Sequence, residues 1–356
     1  MTESTDDTEV DEAAAAALAT QVAMFSVGEA IVEMGYFGHK LGIYGAMQEL
    51  GRASPAEIAH RAGLHERWVI EWLRSQSLAS LVTAEGDDCF YLTATQAAVV
   101  ADTASPFYRG YAWRNVERNA ERRAGLLDAF RTGVGVSTWA GRDPAEFPGV
   151  LEEFQRDTLV SAILPAVDGV VEALRHGGSF VDVGCGRGTA LLEVAAAFPN
   201  ARVHGWDPWL EALQFGKAAA TERGLTNIEW NQADVLDLPA GRGFDIALMA
   251  DCVHHFSDPA GALRAVHAAL ATHGALIVID FRVDQALAQP LMAALFYASS
   301  IRSCLNDGMP EGGGAGLGML GFDEATGRTL AEQSGFQSFR PLPVEHWLNV
   351  AYELRP

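Results

Sequence analysis

The chain has 356 residues, a formal net charge of −21 and 49% hydrophobic residues, enough for two domains with sizeable cores. A chain this acidic repels nucleic-acid phosphates and anionic membranes, so the expected partners are a small molecule or other protein, with no nucleic acid and no membrane. Cys89, Cys185, Cys252 and Cys304 are scattered without a C-x-x-C pair and read as reduced thiols of a cytoplasmic protein; no signal peptide is evident and no apolar run approaches a membrane span.

Residues 1–12 are polar and acidic and read as a disordered tail that supplies helix caps. Ala13 to Gly35 read as an alanine-rich helix with Leu18, Val22, Phe25, Val27, Ile31, Val32 and Met34 apolar. A terminal helix has little of its own chain to cover such a face, so a homodimer through these helices is expected. Leu41 to Ala101 read as a winged helix-turn-helix. Its helices are Ile43–Leu50, Pro55–Ala62 capped by Ser54, and His65–Gln76 with Trp68, Val69, Trp72 and Leu73 inward. The wing pairs Leu81–Thr83 with Cys89–Leu92, and Thr93–Val99 follow. Such a module can read DNA. Here the bases are Arg52, Arg61, Arg67 and Arg74, against Glu49, Glu57, Glu66, Glu71, Glu85, Asp87 and Asp88, and three of those acids sit at the wing tip. Counterion release gives that surface no help toward DNA.

Residues 102–178 are too long for a plain linker. Val116–Phe130 read as a charged helix, Gly133–Pro148 as loop, and Leu151–Leu174 as an amphipathic helix that Pro165 kinks or splits. Phe107, Tyr108, Tyr111, Trp113 and Trp139 could wall an acceptor pocket or simply pack helices.

Ser179–Gly188 reads S-F-V-D-V-G-C-G-R-G, a short apolar strand running into a glycine turn, with a helix over Thr189–Phe198. The spacing is G-x-G-x-G, not the dinucleotide G-x-G-x-x-G, and no Walker lysine follows. Further strands are expected at Arg202–Trp206, Asn227–Asn231, Phe244–Met249 and Gly274–Asp280. Their acidic ends, Asp207, Asp234, Asp251 and Asp280, would line the ligand edge of a parallel sheet. Pro290–Cys304 read as an apolar helix, Glu311–Gly321 as a glycine-rich loop or flap, Asp323–Ser334 as a helix, and Phe336–Leu342 with His346–Leu354 as a closing antiparallel pair. Met292, Phe296, Met309 and Met319 suit an apolar acceptor site.

V-D-V-G-C-G-R-G, W-D-P at 206–208, Q-A-D-V at 232–235, F-D-I-A-L-M-A-D at 244–251 and H-H-F-S-D-P at 254–259 together resemble the class I S-adenosylmethionine-dependent methyltransferases. The helical front half resembles the dimerisation module of plant-type and actinobacterial small-molecule methyltransferases, where it also closes part of the pocket. The resemblance implies an α/β fold with a Rossmann-like, mostly parallel seven-stranded sheet behind an N-terminal all-helical/winged-helix domain. It implies S-adenosylmethionine as cofactor. Gly184, Gly186 and Gly188 would face its methionine part, Asp207 its ribose and Asp234 its adenine, with Asp182, Val235 and Asp251 completing the set. The implied domains are 1–12 tail, 13–103 dimerisation, 104–178 connector and pocket, and 179–356 methyltransferase.

Methyl transfer mainly needs positioning, and a hydroxyl acceptor also needs a base. The plant-type enzymes carry a catalytic histidine in a turn written H-D-W-S-D. Set against H-H-F-S-D it falls on His254, with His255 able to exchange roles; in related enzymes the motif mainly shapes the turn, with Ser257 or Asp258 as cap. No catalytic metal is expected. Cys252, His254 and His255 have no zinc spacing, and Asp280 is followed by Phe281 where magnesium-dependent relatives carry Asn. A cofactor-sensing DNA-binding regulator and a non-catalytic cofactor-binding protein remain as alternatives.

Overall fold

Asp11 starts the first helix: its carboxylate accepts from the backbone N–H groups of Ala13 and Ala14 at 3.0 and 3.1 Å. The computed structural model describes residues 10–137, 143–146 and 150–356, less the side chains at 111, 112, 114, 146, 150 and 151. Residues 1–9 of the expected tail, Trp139 and the Tyr111 side chain thus lie outside the described residues. The chain forms two compact units, 1–121 and 122–356.

In the first unit, α1 (Glu12–Lys40) runs past the expected stop at Gly35 and ends where Gly42 takes φ +70°. Gly35 lies against the Trp113 ring and Gly38 against Trp72 and Tyr44, so a Cβ at either would collide with a ring. Small residues there let the last turns of α1 pack closely, while Leu18, Val22, Met24, Phe25 and Val27 stay exposed. By length and composition α1 is apolar enough to cross a bilayer, at mean hydropathy 1.5. This corrects the reading that no run approaches a span. Alanine carries much of that hydropathy, so a search for large apolar residues passes over it.

The winged helix follows: α2 (Ile43–Leu50), α3 (Pro55–Ala62), α4 (Glu66–Leu78), β1 (Thr83–Glu85), β2 (Cys89–Tyr91) and α5 (Ala94–Val100). Ser54 and Glu57 form a reciprocal cap with Pro55 in the first turn, and Thr93 and Gln96 repeat the device on α5. Val69, Trp72, Leu73 and Gln76 of α4 face the core, where Gln76 accepts from the Tyr44 hydroxyl at 2.8 Å. Trp68 is 79% exposed rather than inward, because it sits one helical step off that face. Trp113 is buried and stacks on Tyr44, Tyr108 is buried, and Phe107 is exposed. The structure therefore gives Trp113 a packing role within this unit. The helix that follows, α6 (Tyr111–Thr132), spans the boundary between the units.

The second unit opens with the rest of α6 and with α7 (Val150–Thr158). A π-turn at Leu159–Ile163 and a 3₁₀ turn at Leu164–Ala166 separate α7 from α8 (Val170–Arg175). Pro165 sits in that 3₁₀ turn and does split the expected helix, since it lacks the N–H needed to continue one. The sheet is built from β3 (Ser179–Val183), β4 (Arg202–Trp206), β5 (Ile228–Asn231), β6 (Phe244–Ala250), β7 (Leu270–Phe281), β8 (Ser338–Pro341) and β9 (Asn349–Arg355). They lie in spatial order β5-β4-β3-β6-β7-β9-β8. The first five are parallel, and β9 and β8 close the edge antiparallel. The intervening helices are α9 (Thr189–Ala197), α10 (Leu210–Glu222), α11 (Pro259–Ala269), α12 (Val283–Leu287), α13 (Pro290–Arg302), α14 (Cys304–Asp307) and α15 (Glu324–Gln333).

Alternate residues of the central strands enter two different cores. Phe180, Ile246, Leu248, Ile277 and Ile279 pack on one face with Leu191 and Val194 of α9; Val181, Ala247, Met249, Leu276 and Val278 pack on the other with Leu263 and Val266 of α11. Both faces are covered, which is why these strands read as unbroken apolar runs. Burying each large side chain contributes about 1.5–3 kcal/mol. That rigid sheet fixes the strand ends on which the site is built.

Candidate active site

β3 enters the glycine turn directly. Gly184, Gly186 and Gly188 have φ of +74°, +52° and +74°, a region that favours glycine. Their surroundings differ. A Cβ at Gly184 would meet Cys252, and one at Gly188 would lie 2.4 Å from the Trp230 ring, whereas nothing stands within 4 Å of the Gly186 position. Gly186 is thus the glycine of the three with an open face, and Gly184 and Gly188 are close-packing positions. Arg187 leaves the loop outward, pairing with Glu152 of α7 and donating to the Pro144 carbonyl at 2.9 Å.

Two buried acids flank the loop. Asp207, at the end of β4, accepts from Gly186 N and Trp209 N, both at 2.8 Å, so one carboxylate shapes the loop and starts α10. Burial raises its pKa against those hydrogen bonds. Asp182, inside β3, is pushed up to about 8 by burial and by the charge of Asp207. Two carboxyls held above their usual range, beside an open glycine, fit a ligand that brings positive charge and hydroxyl donors. Asp234 is exposed and accepts from Leu236 N at 2.9 Å, while Val235 is buried in the core beneath it.

The other end of the edge lies after β6. Asp251 is a non-glycine residue at φ +56°, with its Oδ1 buried and without a hydrogen-bond partner among the described residues; burial is the main cause lifting its pKa to about 7. Such a conformation costs of order 1–3 kcal/mol and persists where the surroundings impose it. A 3₁₀ turn at Val253–His255 follows, and Asp258 caps α11 by accepting from Gly261 N at 2.7 Å.

His254 is fully buried. Its Nδ1 lies 2.9 and 3.0 Å from the two oxygens of Asp280, at the end of β7. Its Nε2 stands 3.9 Å from Asp251 Oδ1 and has no hydrogen-bond partner among the described residues. His255 Nδ1 lies 2.8 Å from Asp307 of α14. Burial alone would lower both rings. The Asp280 carboxylate overrides it and holds His254 well above the usual histidine range, and Asp307 contributes to lifting His255 to about 9. Cys304, buried at the start of α14, lies against both rings; burial would raise its thiol, but the histidines bring it down to about 6.

The glycine-rich segment covers this turn. Ala315 N donates to Ser257 O at 2.8 Å, Gly316 N to Gly308 O at 3.3 Å and Met319 N to Ser300 Oγ at 3.0 Å. Met292 and Met319 pack with Phe296, Phe281 and Leu320 beside it. Asp280, Asp307 and Cys304 as partners of the histidines were missed by sequence reading, which placed Asp280 on the ligand edge and weighed it as a magnesium ligand. No local spacing marks them; the signal that existed was their position, at a strand end and around the expected apolar helix.

Residues 174–311 match a family described as a methyltransferase domain, and residues 30–102 an Rv2258c-like winged helix-turn-helix domain. The chain is 27% identical over 258 residues to the N,N-dimethyltransferase OxyT of Streptomyces rimosus, covering 69% of this chain and 74% of that one. It is 28% identical over 274 residues to the mitomycin biosynthesis 6-O-methyltransferase of Streptomyces lavendulae, covering 72% and 75%. The solved structure of the mitomycin 7-O-methyltransferase MmcR superimposes with a TM-score of 0.68 at 21% identity over 97% of this chain and 99% of that one, a likeness of fold. Fold and site together define a methyltransferase domain of Rossmann type behind a winged helix. The protein is an S-adenosylmethionine-dependent methyltransferase.

Proposed function

We propose that the protein transfers the methyl group of S-adenosylmethionine to a hydroxyl oxygen of a small-molecule acceptor, with His254 as general base held by Asp280. The observation that carries this is the buried His254 Nε2, which lacks a hydrogen-bond partner among the described residues while Nδ1 is committed to Asp280. An Nδ1–H donated to a carboxylate leaves the Nε2 lone pair as the acceptor. Support also comes from O-methyltransferases among the relatives.

Asp182, Asp207 and the open face at Gly186 would hold the cofactor, with Asp234, Val235 and Asp251 along the same edge. The bound cofactor supplies a methyl group on a sulfonium, already activated for displacement. His254 Nε2 would take the acceptor's hydroxyl proton as its oxygen attacks that methyl group. Because Asp280 stabilises the charged ring, His254 must first give up its own proton. Turnover should therefore rise with pH into the alkaline range, while a positive sulfonium nearby opposes Asp280 by favouring the neutral ring and moves that rise toward lower pH.

The test is turnover of methyl-labelled cofactor against hydroxyl-bearing small molecules for the native chain and His254→Ala. Unchanged turnover removes the base. A second reading, transfer to nitrogen, is favoured by the OxyT likeness. An amine acceptor delivers its own lone pair, so that reading expects His254→Ala to retain most activity. We also infer a cytoplasmic homodimer joined through α1, supported by that helix's exposed apolar side chains and by the free cysteines. Phe25→Asp with Val22→Asp should yield a monomer by light scattering.

A further inference from the structure

We propose that His254, His255 and Cys304 form a binding site for a zinc-class divalent ion. Each residue offers one donor atom, and the three atoms lie within 4.8 Å of one another. The donors come from two elements, the turn after β6 and the start of α14, which are some fifty residues apart and joined only by folding.

Three observations point to an ion rather than to ordinary packing. Each histidine commits Nδ1 to its own carboxylate, His254 to Asp280 and His255 to Asp307. Metal-binding histidines are held by carboxylates in the same way. The far nitrogen of His254 is buried and has no hydrogen-bond partner among the described residues. The third donor is a buried thiol. Two imidazoles and a thiolate suit Zn²⁺ or its neighbours and disfavour Mg²⁺ or Ca²⁺, which take oxygen ligands. Tetrahedral zinc sets nitrogen and sulfur donors about 3.3–3.6 Å apart, so small side-chain rotations close the set around an ion. Asp251, His254 and Asp280 make a second triplet, but there Asp280 already occupies the Nδ1 side of His254, and two carboxylates suit a harder ion.

The proposal stands apart from the base assignment, although both use His254. One nitrogen cannot hold an ion and take a proton, so a bound ion should suppress the base. The experiment adds Co²⁺, as a coloured stand-in for Zn²⁺, to chelator-treated full-length protein. The expected result is one ion per chain, with a sulfur-to-cobalt charge-transfer band and the strong visible bands of a four-coordinate ion, reversed by Zn²⁺. Cys304→Ser should lose the charge-transfer band, and His255→Ala should weaken binding at least about 100-fold. Asp307→Asn should weaken it by about 10–100-fold. S-Adenosylmethionine affinity, unchanged in each variant, shows that the fold is retained. Absence of the band in the native protein, or equal ion affinity in Cys304→Ser, overturns the site. If the band forms and methyl transfer continues at full rate, the ion site stands and the His254 base falls.

Discussion

The two ends of the ligand edge hold charge in opposite ways. At the glycine turn, Asp182 and Asp207 are both buried and both held above their usual range, Asp182 by burial and the charge of Asp207, and Asp207 by burial against the two backbone N–H groups it accepts from. At the histidine turn, each buried acid faces a base: Asp280 with His254, and Asp307 with His255. On the proposed assignment, the first end takes a ligand that brings positive charge. The second pairs two of its acids with histidines and leaves Asp251 Oδ1 without a hydrogen-bond partner among the described residues; both proposals above place their chemistry there. On the proposed function, one sheet edge would separate binding of the donor from handling of the acceptor.

The sharpest break falls on the first end. Asp207→Ala removes two charge-assisted hydrogen bonds, each of about 1.5–3 kcal/mol, together with the turn they shape. S-Adenosylmethionine affinity should fall at least about 100-fold by calorimetry, equal to about 2.7 kcal/mol. An affinity within tenfold of native would detach Asp207 from the cofactor. Next comes His254→Ala, which should lower kcat by about 10²–10⁴-fold, the usual worth of a positioned base, while leaving cofactor affinity within a few-fold. If both parameters fall together, the two ends are not separable and the comparison fails.

A smaller effect concerns pH. Asp182 has a folded pKa of about 8 against about 3.9 unfolded. A group raised on folding contributes its full stability below the unfolded value and loses it as pH rises through the folded one. The melting temperature of the cofactor-free protein should therefore fall between about pH 4 and pH 8. Asp182→Asn should flatten that slope. Binding the positively charged cofactor at pH 7 should release a proton, measurable as a calorimetric heat that depends on the buffer. A melting temperature insensitive to Asp182→Asn would mean that the acid is not held in its neutral form.

These ends also differed in how far the sequence disclosed them. The glycine turn is local: V-D-V-G-C-G-R-G sits within ten residues, and a strand–turn–helix needs no distant information to be recognised. The seven strands were legible for a related reason, because burial on both faces leaves apolar runs. The histidine turn was legible only as a turn. Its partners Asp280 and Asp307 lie 26 and 52 residues away from their histidines, and no periodicity links them. Trp68 was misread because residues 68, 69, 72 and 73 share a broad helical arc whose edge only packing decides. At Gly188 a Cβ would also meet the Trp230 ring, a neighbour from another strand that the local motif does not disclose.

The smallest expected effect separates shape from chemistry within the histidine turn. Asp258 caps α11 through Gly261 N at 2.7 Å and reaches neither histidine in any described contact. Asp258→Ala should cost about 1 kcal/mol of stability, the usual worth of such a cap, and lower kcat only a few-fold by loosening the turn. Turnover of this variant is the measure against which His254→Ala is judged. If the two variants lose the same activity, then H-H-F-S-D serves only to shape the start of α11. The unpartnered Nε2 would then have no part in methyl transfer. If Asp258→Ala keeps most of its rate while His254→Ala does not, the loss belongs to the ring and its Asp280 partner. The cap would then merely present them.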